Sequence, residues 1–305
     1  MNELVNDLKN LELETLKNLR NSKSANTLRA YESDYKNFSA FCSNNNFSSL
    51  PADPKILSLY LTHLSKTSKF STLKRRIASI SVIHKLKGHY IDTKHPIIRE
   101  NLLGIKRIKG SNQKAKKPIL INDLKQIIDI INTLKIKEIR QVRDKALILI
   151  GFAGGFRRSE LVALENDDVE FVREGVKIFV KRSKTDQSGE GMTKAIPSFD
   201  KSQYCPVLHL QDWMAKGKNK NNKIFPISDR SVALIIKKYA NLAGLDGNKY
   251  AGHSLRSGFA TSTAESGAEE RNIMSMTGHK TTQMVRRYIH EANLFKNNAL
   301  NKIKI

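Results

Sequence analysis

Two arginines, two histidines, a lysine and a tyrosine follow one another in the second half of the chain, in five short segments. Arg157 and Glu160 stand in GFRRSELVAL, three apart and therefore on one face of a helix. Lys184 stands in KRSKTDQSGEGMTKAIP, which reads as a basic hairpin. His253 and Arg256, again three apart, open a helix in GHSLRSGFAT. His279 follows a glycine in MTGHKT, and Tyr288 comes nine residues later. Taken singly, each has an ordinary reading: a helix ion pair, a satisfied core histidine, a solvated lysine, a surface aromatic. Taken together, they are the groups that phosphodiester transesterification requires without a metal.

The chemistry explains the residue types. A tyrosine hydroxyl, with a reference pKa of ~10, is a poor nucleophile near neutrality and needs a base or a positive field. The phosphoryl transition state gathers charge on its nonbridging oxygens. Arginine offers forked donors to those oxygens and stays charged. The leaving 5′ oxygen needs a proton, which a lysine on a hairpin can deliver. The chain has no acidic cluster of the kind that holds two magnesium ions, so two-metal nuclease chemistry is disfavoured and no metal or cofactor is expected.

The order R-x-x-E, K, H-x-x-R, G-H, Y resembles the signature of the tyrosine recombinases, also called the phage integrase family. The resemblance runs over the whole chain and is carried most specifically by GFRRSELVAL, AGHSLRSGFAT and MTGHKTTQMVRRYIH. It implies a site-specific recombinase that cleaves and rejoins DNA through a 3′-phosphotyrosine and a Holliday junction. By the same resemblance, Arg157 and Arg256 clamp the scissile phosphate and His279 bonds the same oxygens. His253 accepts the tyrosine proton, Lys184 protonates the leaving oxygen, Glu160 holds its neighbours in place, and Tyr288 is the nucleophile. The hairpin also offers Lys181 and Lys194, although RSKT fits the family's lysine position best. Arg158 is the neighbour most easily confused with Arg157, and the R-x-x-E register selects Arg157. Two other classes remain open: type IB topoisomerases, which share the tyrosine chemistry, and a DNA-binding protein that has lost catalysis.

These residues need elements to hold them. The chain reads as mainly α with a small antiparallel β-sheet, in two domains: helical residues 1–104, a basic linker 105–118 and a catalytic domain 119–305. A first helix is expected over Glu3–Arg20, with leucines at helical spacing. A second begins near Asn26 as its cap and carries Leu28, Tyr31, Tyr35, Phe38 and Phe41 on one face. Pro54 opens a third. A fourth, from Ser71, turns Leu73, Ile77, Ile80, Ile83 and Leu86 inward and shows Lys74, Arg75 and Arg76 on its other face as a candidate phosphate-facing edge. IKRIKGSNQKAKKP, with Lys106, Arg107 and Lys109, has no apolar periodicity and reads as an extended interdomain linker, either disordered or lying along the DNA backbone. Helices are expected over Asn122–Leu134 and around ALILIGFAGGF, strands at 169–172, 176–180 and 194–197, and helices again from Ser228. Beyond Tyr288, Leu294, Phe295, Ala299, Leu300 and Ile303 form a short apolar face that, by the resemblance, docks onto a neighbouring protomer.

The bulk composition agrees. Fifty-three Lys and Arg against 29 Asp and Glu give a formal net charge of +24, the balance of a nucleic-acid binder. Cys42 and Cys205, far apart, make neither a disulfide framework nor a zinc set. No apolar run approaches the ~20 residues of a membrane span, and the N-terminus has no signal core, so a cytoplasmic, nucleoid-associated protein is expected. The resemblance to the tyrosine recombinases implies a partner in double-stranded DNA with short inverted repeats, bound by a protein that is monomeric when free and tetrameric when two sites are paired. No arm-binding domain of the kind found in larger phage integrases is expected, since about twenty residues precede the first aromatic helix.

Overall fold

A computed structural model describes residues 22–110, 116–183, 186, 189–199, 203–217, 222–293 and 299–303, with scattered residues among the first 21. The chain divides into two compact units, Met1–Lys114 and Ala115–Ile305. As expected, it is mostly helical with one small antiparallel sheet. Among the described residues no helix is long and apolar enough to cross a membrane.

In the first unit, helices α1 (Ala25–Asn44), α2 (Pro54–Ser65), α3 (Phe70–Leu86) and α4 (Pro96–Lys109) enclose a core of Phe38, Leu57, Tyr60, Leu61, Leu73, Ile80 and Ile98. The expected helix over Glu3–Arg20 falls largely outside the described residues. The cap of α1 is Ser24 rather than Asn26: its hydroxyl accepts from Thr27 N–H at 3.3 Å. Asp53 caps α2 in the same way, ahead of Pro54. The inward stripe of α3 is 73, 77, 80 and 84, the true 3.6-residue period. Leu86, expected inside, is therefore exposed, and His84 is buried in its stead. Its Nε2 accepts from Ala52 N–H at 3.1 Å and its Nδ1 lies 2.9 Å from Ile80 O. Burial pushes the His84 pKa down, and a ring whose Nε2 accepts from a backbone N–H is a neutral strut.

The segment read as an extended linker from 105 is corrected at its start. Residues 105–109 are the last turn of α4, and Ile105 is buried one heptad after Ile98. The helix stops at Gly110, whose φ of 71° lies in the left-handed region. The two isoleucines were too few, among six basic residues, to show their periodicity.

In the second unit, α5 (Ile121–Thr133) and α6 (Glu138–Ala153) pack Leu124, Ile127, Ile128, Ile131, Ala146, Leu147 and Ile150 into the main core. A short helix α7 (Arg158–Leu161) follows, then the sheet β1 (Val169–Val172), β2 (Gly175–Val180) and β3 (Met192–Pro197), paired antiparallel in the order β1-β2-β3. Val176, Ile178, Val180 and Ile196 face inward. Helices α8 (Pro206–Lys216), α9 (Asp229–Leu242), α10 (His253–Glu265), α11 (Glu270–Thr277) and α12 (Thr282–Asn293) complete the unit.

Helix α10 must lie close to the entering chain. Ile119 N–H donates to Ser254 O at 2.9 Å, and Lys117 N–H to Lys249 O at 2.7 Å. A Cβ on Gly258 would stand 1.9 Å from Ile119 O. Because that obstacle is backbone, Gly258→Ala should destabilise the fold by about 1–3 kcal/mol, the usual penalty for overpacking. A denaturant midpoint equal to that of the native protein would show that the approach is looser than this.

Candidate active site

Arg157 is the N-cap of α7, and its position follows from the R-x-x-E spacing. Three residues along a first helical turn, Glu160 reaches back over the cap. Its Oε2 accepts from the Arg157 backbone N–H at 2.9 Å, and its Oε1 accepts from the Arg157 guanidinium at 2.6 Å. Glu160 is only 2% exposed, so the carboxylate fixes both the main chain and the side chain of one arginine. The other end of that guanidinium lies 3.4 Å from Gly278 O. Arg158 turns away: its side chain covers Gly252, and its guanidinium lies 3.5 Å from Asp229 O.

Arg256 sits in the first turn of α10 and is 2% exposed. Its Nη1 donates to Gly155 O at 2.9 Å, while its Nη2 is buried with no partner among the described residues. A buried guanidinium with an idle fork calls for an explanation. Burial and the neighbouring Arg157 push its pKa down to about 10, which still leaves it charged at neutrality.

Helix α11 ends in Gly278, at φ 63°, and this left-handed residue turns His279 into the same space. Thr277 Oγ1 donates to Ile273 O at 2.6 Å and lies 2.7 Å from His279 Nδ1. With the hydroxyl proton so placed, Thr277 accepts from Nδ1–H. The ring lies tilted against Tyr288, with centroids 6.0 Å apart. Burial first, then Arg256, Arg157 and Lys194, push the His279 pKa down to about 4. Tyr288 is half-buried on α12, packed against the small core of Ala260, Ala264, Ile273 and Val285 that joins α10, α11 and α12.

The structure thus gathers Arg157, Glu160, Arg256, His279 and Tyr288. His253 lies exposed at the start of α10, one turn before Arg256. Lys184 is outside the described residues. Of the other hairpin lysines, Lys181 pairs with Glu165 at 2.6 Å and Asp168 at 2.9 Å, which raises its pKa. Lys194 is fully buried beside the arginines. Thr277 is the contact that sequence reasoning missed; its only signal was its place two residues before His279. Among the described residues no three His, Cys, Asp or Glu gather to hold a metal ion.

The candidate DNA-facing residues of the first unit differ among themselves. Lys74 is exposed, as are Lys106, Arg107 and Lys109 on the last turn of α4. Arg75 is exposed as well and bonds the buried carboxylate of Asp34. Arg76 stands 3.6 Å from the same group and bonds Asn37 and Tyr60. Ser79 Oγ completes that network at 2.8 Å from Asp34 Oδ2.

Comparison with known proteins shows the family and the fold. The family model described as the phage integrase family matches residues 119–294. A relative described as an integrase/recombinase XerD homolog, from Selenomonas ruminantium, is 39% identical over 99% of this chain and 92% of its own length. The tyrosine recombinase XerD of Yersinia pestis is 26% identical over 90% of this chain and 89% of its own. The fold resembles XerH site-specific recombinase bound to a palindromic difH substrate, with a TM-score of 0.63, 18% identity and coverage of 79% of this chain and 70% of that one. It also resembles a lambda integrase dimer bound to a COC′ core site, with a TM-score of 0.60, 16% identity and coverage of 93% and 75%. The chain belongs to the phage integrase family and is an enzyme of the tyrosine recombinase class.

Proposed function

We propose that the gathered side chains hold one phosphodiester of double-stranded DNA and that Tyr288 attacks it, leaving a 3′-phosphotyrosine and a free 5′ hydroxyl. The observation that carries this reading is the buried, unpartnered Nη2 of Arg256 beside Arg157, His279 and Tyr288. A nonbridging phosphate oxygen satisfies that donor, and two guanidinium groups supply charge where the transition state develops it. His279, neutral in the free protein and bonded through Nδ1 to Thr277, binds phosphate through Nε2 once that nitrogen carries a proton. The entering anion favours the proton by offsetting the surrounding cations. His253 accepts the Tyr288 proton and Lys184 protonates the leaving oxygen, roles that rest on the matching family motifs. Glu160 works through Arg157, which it holds.

Religation to a second strand reverses the same chemistry and passes through a Holliday junction. Two domains divide the work, with the helical one following DNA and residues 115–305 carrying catalysis in the cytoplasm. Lys74, Lys106, Arg107 and Lys109 are its exposed phosphate contacts, with Arg75 and Arg76 on the same helix as Lys74. Short inverted repeats are the substrate. Two sites pair in a tetramer, and the segment beyond Tyr288 links protomers that are monomeric when free.

Nicked suicide duplexes carrying inverted repeats, selected on the protein from a random pool, test the reading. A protease-sensitive covalent adduct should appear on a denaturing gel, and in undiminished yield with excess chelator. Cleavage that leaves no adduct, or that requires magnesium, would overturn the mechanism.

A further inference from the structure

The side chain of Lys194 contradicts its strand. β3 shows every second residue to the core, and Ile178, paired directly with Lys194, is fully buried on that face. The alternation demands an apolar residue at 194, yet a lysine stands there with no exposed surface. Burial, opposed by Glu160 and assisted by Arg256 and Arg157, pushes its pKa down to about 7. So unfavourable a choice points to a task that an aliphatic side chain cannot do.

Its contacts name the task. Nζ donates to Gly154 O at 2.6 Å and also to Met276 O, and stands 4.6 Å from the centroid of the Phe156 ring. Gly154 lies three residues before Arg157, and Met276 three residues before His279. Between Gly154 and Arg157, the carbonyl of Gly155 holds Arg256. Between Met276 and His279, Thr277 holds the imidazole and Gly278 receives the second end of Arg157. The two carbonyls therefore stand just ahead of Arg157 and His279, in the two segments that carry these residues and hold Arg256 through Gly155 O.

We propose that Lys194 is a positioning residue, whose amine ties the Gly154 loop to the Met276 loop and so sets Arg157, Arg256 and His279 at the spacing of one phosphodiester. Its role is distinct from proton delivery. Both hydrogen bonds point at main-chain carbonyls, which commits two of the three N–H donors to the fold rather than to a leaving oxygen. Two N–H donors suffice for the two carbonyls, so the tie holds whether or not the amine carries its third proton. Phe156 closes over Nζ and keeps competing water out.

This inference rests on the proposed phosphate chemistry, and the experiment separates the two. Lys194→Met keeps length and volume but removes the donors, whereas Lys194→Arg keeps donors and charge. Amide hydrogen exchange, which needs no cleavage, should accelerate at least tenfold in residues 155–157 and 277–279 of Lys194→Met and stay near native in Lys194→Arg. On a suicide duplex, Lys194→Met should bind a half-site within threefold of the native affinity but form adduct at least tenfold more slowly. Lys194→Arg should restore adduct formation to within threefold. Native exchange in both loops of Lys194→Met, or native adduct rates, would overturn the tie. A folded Lys194→Arg that binds the half-site and is as slow as Lys194→Met would do the same. Should Lys194→Met not fold, Lys194→Arg decides alone: retained exchange and cleavage support the tie, and loss of both in a folded protein overturns it. If the native protein forms no adduct at all, the phosphate chemistry fails while the exchange result still judges Lys194.

Discussion

Replacing Tyr288 by Phe should abolish the covalent protein–DNA complex and leave DNA binding intact. The substitution removes one oxygen. The ring that packs against Ala260, Ile273 and Val285, and stands 6.0 Å from His279, stays. Stability and affinity should therefore move little. No other group can take over, because the nucleophile must lie in line with the phosphate and leave a linkage that the 5′ hydroxyl can reverse. The adduct should fall below detection, a loss of at least ~10³-fold, comparable to removing the nucleophile in other covalent mechanisms. The measurement is a denaturing gel of a labelled suicide duplex beside a native gel of the same mixture. Adduct persisting in Tyr288→Phe would show that another side chain attacks.

Much of this site was legible in the sequence because its signals are local. R-x-x-E is one turn of helix, and the turn itself puts Glu160 onto the backbone and side chain of Arg157. H-x-x-R places Arg256 in the first turn of α10, and the glycine of the G-H pair is the left-handed stop that aims His279. The sheet was readable from β-branched runs between turn residues. What escaped was set by tertiary contact. Lys194 looks like one more basic residue of a hairpin until β3 is paired with β2 and its inward face becomes known. Arg76 resembles part of a free basic edge, yet Asp34, some forty residues away, stands 3.6 Å from it and leaves its side chain largely covered, while Arg75 bonds the same carboxylate and stays exposed. The last turn of α4 was hidden for a related reason: Ile105 declares itself only when Ile98 and the rest of that core surround it.

Arg256→Lys tests whether the fork, rather than the charge, does the work. Lysine keeps a cation at neutral pH but offers a single flexible nitrogen where arginine offers a planar pair of donors. In the protein, Nη1 is committed to Gly155 O, Nη2 is buried with no partner among the described residues, and the rigid guanidinium fixes the one relative to the other. A lysine amine that bonds Gly155 O sits too far back to reach a phosphate oxygen, and one that reaches the oxygen abandons Gly155. One preorganised donor to the transition state is therefore lost in either arrangement, which typically lowers a rate by about 10²–10³-fold. Half-site affinity should change little, because this phosphate is one of many the basic surface neutralises. Adduct formation by Arg256→Lys should accordingly fall by about two to three orders of magnitude at saturating protein. A loss of less than about fivefold would mean that charge alone suffices and that the buried Nη2 has no share in holding the phosphate. A loss confined to affinity, recovered fully at high protein concentration, would place Arg256 in ground-state binding rather than in stabilising the transition state.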